Sequence, residues 1–119
     1  MNKQDLTLLT DLYELTMMQG YYKKGQHETV VFDVFYRHNP CGNGYSVCAG
    51  LDQVIDYIKN LNFTYEDVDY LRSLHIFDDD FLQYLSGFHF TGDIYAIPEG
   101  SVVFPKEPLL IVIAPIMEA

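Results

Sequence analysis

The chain has 119 residues, 49% of them hydrophobic, enough for one core of ordinary size and too few for two independent domains. Seventeen acidic against seven basic side chains give a formal charge of −10, which disfavours nucleic acid and an anionic membrane surface as partners. The two cysteines, Cys41 and Cys48, lack the spacing and the paired histidines of a zinc site, so free thiols in a reducing, cytoplasmic setting are expected.

In chain order, Met1-Asn2-Lys3-Gln4-Asp5 lacks the apolar stretch of a signal peptide. A broadly apolar helix is predicted from Thr10 to Lys24, with Thr10 as N-cap, Asp11 at the positive end of the dipole and Gly25 as the stop. Glu28 to Tyr36 turns to β-branched and aromatic residues, and Val30, Phe32, Val34 and Tyr36 make one face of that strand wholly apolar. The turn formers Asn39-Pro40-Cys41-Gly42-Asn43-Gly44 should reverse the backbone into the short extended segment Tyr45 to Ala49, giving a hairpin-like pair.

Helical spacing returns over Leu51 to Leu61, and Thr64 caps a third, short helix carrying Val68 and Leu71. Asp78-Asp79-Asp80 opens a fourth helix through Phe81, Leu82 and Leu85 up to Gly87, its carboxylates set where the dipole favours them. The period then changes to two, and Asp93 to Ile97, Ser101 to Phe104 and Leu109 to Ala114 read as a small β unit punctuated by Pro/Gly turns. The apolar run Leu109 to Pro115 is far short of the about 20 residues of a spanning helix. Without a linker between helices and strands, one α+β body is expected. The apolar end at Ile116-Met117 suggests a fragment.

Phosphate-binding, zinc-protease and serine-hydrolase motifs are absent, and His27, His38, His75 and His89 form no helical i, i+4 pair. The three consecutive aspartates are better explained by capping than by a cation. Tyr13 is either a core residue or an aromatic ring that stacks on a flat heteroaromatic acid near a helix N-terminus. Arg37 offers a planar fork to a phosphate or carboxylate; a structural salt bridge is the alternative.

Four ordered blocks carry a family resemblance. The string Leu8-Leu9-Thr10-Asp11-Leu12-Tyr13-Glu14-Leu15-Thr16-Met17 comes first, and Phe32-Asp33-Val34-Phe35-Tyr36-Arg37 with Asn39-Pro40 follows. Gly44-Tyr45 through Ala49-Gly50-Leu51 is the third, and Pro98-Glu99-Gly100 through Phe104-Pro105 to Pro108-Leu109-Leu110 the fourth. Together they resemble the N-terminal portion of nicotinate phosphoribosyltransferases over nearly the whole chain. The resemblance implies an α+β N-terminal region of a type II phosphoribosyltransferase fold over residues 1–119, helices packed with a small mixed or antiparallel β unit, the C-terminal α/β barrel being absent from this chain.

By resemblance, the parent enzyme joins nicotinate to phosphoribosyl pyrophosphate, giving nicotinate mononucleotide and pyrophosphate, with ATP hydrolysis and magnesium, in NAD salvage. It is expected to be a cytoplasmic homodimer. Tyr13 then matches the tyrosine that packs against the nicotinate ring, reaching a neighbouring subunit's site, and Asp11 and Arg37 are candidates for positioning roles. The phosphorylated histidine, the arginine on the nicotinate carboxylate and most phosphoribosyl-binding groups belong to the barrel. This chain alone is therefore expected to hold no catalytic residue, metal or cofactor and to be inactive. Cys41 departs from the family, which more often has an aromatic residue after the proline.

Two alternatives accompany this reading. One is a fragment of a nicotinamide or quinolinate phosphoribosyltransferase. The other is a non-enzymatic β carrier or binding module presenting Lys106 at a hairpin tip. Exposure of Val102, Phe104, Leu110, Val112 and Ile116 with consequent self-association is also expected.

Overall fold

The computed structural model describes residues 6–119. Helix α1 (Leu12–Lys24) is followed by strand β1 (Thr29–Val34), a 3-10 turn over Pro40–Gly42, and the short strand β2 (Ser46–Val47). Helices α2 (Leu51–Asn60), α3 (Tyr65–Ser73) and α4 (Asp79–Leu85) come next, then strands β3 (Asp93–Ala96), β4 (Val102–Val103) and β5 (Leu110–Pro115). The α+β class is as expected. The single body is not, because the chain gathers into two compact units. One takes the described residues up to His27 with Tyr57–Phe90; the other takes Glu28–Asp56 with Thr91–Ala119.

The helical unit has a hydrophobic core of Leu15, Phe63, Val68, Leu71, Phe77, Phe81, Leu82, Leu85 and Phe88. From α1 only the stripe Leu15, Met18 and Tyr22 reaches that core, at the i, i+3, i+7 spacing of one helix face. Phe81 is fully buried, with Tyr22 and Phe77 each 5.8 Å away between ring centroids, and Phe63 meets Phe88 edge to face at 5.6 Å. Such tilted and edge-on pairs suit the ring quadrupoles and add to the area they bury.

The helix ends explain where the elements stop. Gly25, at φ 63°, donates to the Tyr22 carbonyl and Gln26 to that of Tyr21, both at 3.0 Å, a Schellman ending that a residue without Cβ adopts at little cost. At α3, Thr64 Oγ1 accepts from the Asp67 N–H at 3.2 Å while Asp67 Oδ2 accepts from the Thr64 N–H at 2.8 Å, closing the expected cap as a reciprocal box. At α1 the expected cap shifts by one: Asp11 is the N-cap, and Thr10 turns its hydroxyl to the Glu14 carboxylate. Gln19 ties α1 to the loop before α4, donating to the Ile76 carbonyl at 3.2 Å and accepting from the Asp78 N–H at 2.7 Å.

The strand unit holds a three-stranded antiparallel sheet in the order β1-β5-β3 and a separate antiparallel pair, β2-β4. The hairpin expected from the first two strands does not form. Thr29 lies opposite Pro115 and Val34 opposite Leu110, so β1 finds its partner in the last strand, while β2 pairs with β4 through Ser46 opposite Val103. The turn between β1 and β2 sends the chain to another sheet. Central β5 buries Ala114 and half-buries Leu110 and Val112, whereas edge strand β1 leaves Phe32 51% and Val34 48% exposed. The apolar face foreseen for β1 is therefore continuous with Ala114, Val112 and Leu110 but incompletely covered. Of the residues expected to be exposed, Val102 and Phe104 are, and Leu110, Val112 and Ile116 are half-buried.

Two long-range contacts fasten this unit. The Glu99 carboxylate accepts from the backbone N–H groups of Gly50 and Leu51, both at 2.8 Å, placing an anion on the first turn of α2. Glu118 does the same for Thr91, taking its N–H at 2.6 Å and its hydroxyl at 2.9 Å.

Candidate functional site

Asp11 and Tyr13 stand at the start of α1, in the helical unit. Because Leu15, Met18 and Tyr22 take the packed face, Tyr13 is turned away from it and is 59% exposed, with Leu12 and Met17 similarly exposed beside it. The core reading of Tyr13 is thereby set aside. Asp11 makes no side-chain cap bond, and the Glu14 N–H is given to the Asp11 carbonyl at 3.1 Å. A shallow depression of about 360 Å³ lined by Leu9, Thr10, Asp11 and Glu14 opens at the same helix end. An exposed ring beside a helix N-terminus suits a flat ligand carrying negative charge.

Arg37 belongs to the strand unit, in the bend that follows β1. Its side chain is exposed and forms no ion pair among the described residues. The bend is tied on both sides. The Tyr36 hydroxyl lies 2.9 Å from both Asn39 Oδ1 and the Val103 carbonyl oxygen, and the Ser46 hydroxyl donates to Asn39 Oδ1 at 3.2 Å. Next to it, Pro40, Asn43, Gly44, Tyr45, Ser46 and Val47 line an open depression of about 590 Å³.

The remaining candidates are otherwise engaged. Asp78 pairs with Lys23, Asp79 faces Arg72 at 3.5 Å, and Asp80 accepts from the Phe81 N–H at 2.9 Å. Among the described residues no three His, Cys, Asp or Glu side chains come together as a group that could hold a metal ion. His89 Nδ1 lies 3.1 Å from the Gly87 carbonyl, and His75 occupies a left-handed position at φ 55° after α3. Lys106, also left-handed at φ 66°, sits in the Phe104–Glu107 turn with its N–H given to the Tyr36 carbonyl at 2.8 Å. That is a plain turn.

The model of the nicotinate phosphoribosyltransferase (NAPRTase) N-terminal domain matches residues 8–119. The chain belongs to this family. A nicotinate phosphoribosyltransferase of Mycobacterium tuberculosis is 47% identical over 112 residues, spanning 94% of this chain and 24% of that protein. The crystal structure of human nicotinic acid phosphoribosyltransferase superposes with a TM-score of 0.81 at 32% identity, over 92% of this chain and 23% of that one. A nicotinate-nucleotide pyrophosphorylase from Pyrococcus furiosus shares the fold at a TM-score of 0.65 and 20% identity, over 99% of this chain and 23% of that one. The chain thus spans about a quarter of the length of these relatives.

Membership in the NAPRTase N-terminal domain family removes the β-carrier alternative, which the turn at Lys106 also fails to support. Asp11 and Tyr13 are brought together by α1, and Arg37 is placed in the other unit. The Tyr36, Asn39 and Ser46 side chains around Arg37 were not singled out from the sequence, although Tyr-x-x-Asn ahead of a proline is the spacing at which a hydroxyl can bridge a bend. The hold of Glu99 on α2 had no local signal, since the partners lie 48 and 49 residues apart.

Proposed function

We propose that the chain serves as the N-terminal region of an enzyme that joins nicotinate to phosphoribosyl pyrophosphate, releasing nicotinate mononucleotide and pyrophosphate with ATP hydrolysis, in NAD salvage. The observation that carries this reading is the family match over residues 8–119, with Tyr13 held half-exposed on the unused face of α1. Tyr13 stacks on the pyridine ring, and the start of α1 with Asp11 orients the ligand by its N–H groups. Arg37 takes a phosphate of the phosphoribosyl donor in its fork. Phosphoribosyl transfer builds negative charge on the departing pyrophosphate, which needs fixed cations. One arginine in a chain of charge −10 supplies part of that, and the catalytic groups, with ATP and magnesium, are held outside these 119 residues.

The working form is a cytoplasmic homodimer in which Tyr13 completes a neighbouring subunit's site. Both cysteines are free, which suits a reducing setting, and no helix among the described residues is long and apolar enough to cross a membrane. The choice of nicotinate over nicotinamide or quinolinate follows the names of the relatives and rests on groups outside this chain.

Calorimetric titration with nicotinate tests the reading, using this chain, the full-length enzyme and its Tyr13→Ala variant. Binding is expected for the full-length enzyme and weakened by about fivefold or more without the ring, by analogy with aromatic stacking worth about 1–3 kcal/mol. Full affinity in Tyr13→Ala, or turnover by the 119-residue chain alone, would overturn the division of labour.

A further inference from the structure

We infer that Tyr36 and Asn39 are positioning residues for Arg37, holding the bend that carries it so that its guanidinium meets the donor without a large ordering cost. This rests on the reading of Arg37 as a phosphate contact.

The backbone around Arg37 is tied while its charged head is left free. On one side, the Tyr36 carbonyl accepts from the Lys106 N–H at 2.8 Å, and the Tyr36 hydroxyl is shared between the Val103 carbonyl and Asn39 Oδ1, each at 2.9 Å. On the other, Asn39 Oδ1 also takes the Ser46 hydroxyl at 3.2 Å, and the Asn43 N–H closes on the Pro40 carbonyl at 3.2 Å. Arg37 and His38 are therefore bridged by a side-chain staple from position 36 to position 39 that is anchored to β4 through Val103. The guanidinium makes no ion pair among the described residues, despite the excess of acids in the chain. A flexible arginine loses rotamer and backbone freedom when it binds, and a bend fixed beforehand removes the backbone share of that cost. Lys106 takes up its left-handed conformation in the turn that offers its N–H to Tyr36, so the strained residue and the staple belong to one arrangement.

The full-length enzyme provides the test, through KM for phosphoribosyl pyrophosphate and for nicotinate in Tyr36→Phe, Asn39→Ala, Arg37→Ala and the double variant Tyr36→Phe/Arg37→Ala. Tyr36→Phe keeps the ring and removes only the shared hydroxyl; Asn39→Ala leaves the Val103 contact in place and decides the matter if Tyr36→Phe fails to fold. Arg37→Ala is expected to raise the donor KM by about tenfold or more, as loss of a charged hydrogen bond does. Each staple variant is expected to raise it about three- to tenfold with the nicotinate KM unchanged, and Tyr36→Phe to add less than about twofold once Arg37 is gone. A staple effect that persists in the Arg37→Ala background, or that raises both KM values alike, overturns the inference as a general structural loss. Staple variants without effect beside a damaged Arg37→Ala overturn it alone, and an Arg37→Ala enzyme with unchanged donor KM removes the underlying reading as well.

Discussion

The two units spend their apolar residues differently. In the helical unit, Phe81, Leu82 and Leu85 from one seven-residue helix are wholly buried, and aromatic rings from α1 and from the segments flanking α4 close around them. In the strand unit, full burial is confined to Val103, Ala114 and Met117, and β1 leaves Val31, Phe32 and Val34 about half exposed or more. The helical unit is held by side-chain packing, the strand unit by its ladders and by carboxylates that clasp backbone N–H groups across the chain. Stability and surface chemistry are thus separated: the rigid core presents Tyr13 on a face it does not use, and the more open sheet presents Arg37 at its margin.

The largest blow to this contrast is Phe81→Ala. It opens a cavity among rings that cannot collapse, and a loss of about 3–5 kcal/mol is expected by chemical denaturation. Hydrogen exchange should rise first in α3 and α4. Gly92→Ala is the counterpart in the strand unit, where a Cβ would lie 2.5 Å from the Ile113 carbonyl oxygen and against Ala114. Displacing β5 there is expected to cost about 1–3 kcal/mol, with exchange protection lost in β3 and β5 before α4. Protection lost equally in both units by either variant would mean that they open together.

Smaller effects sharpen the comparison. Thr64→Ala removes one arm of the box at the start of α3 and is expected to cost about 1 kcal/mol, read as a lowered unfolding midpoint. Phe32→Thr exchanges a half-exposed ring for a β-former, and stability should change by no more than about 0.5 kcal/mol while self-association at high concentration, followed by light scattering, declines. A large destabilisation by Phe32→Thr would show that the face is covered after all.

Much was legible in the residues because its causes are local. The apolar run ahead of Lys24, Thr64 before the third helix, and Gly25 after two lysines each mark a helix or its end within a few positions, where hydrogen bonds and sterics act at short range. The string around Asp11 and Tyr13 pointed to a candidate site only through its resemblance to the family. What only the tertiary structure decided is pairing and exposure. Strand β1 was expected to meet the nearest strand and instead met β5, since an edge of unpaired N–H and C=O groups is chemically the same toward any partner and the choice falls to the whole packing. For the same reason an apolar tyrosine on an apolar helix could be core or surface, until the core took the opposite face and left Tyr13 outside.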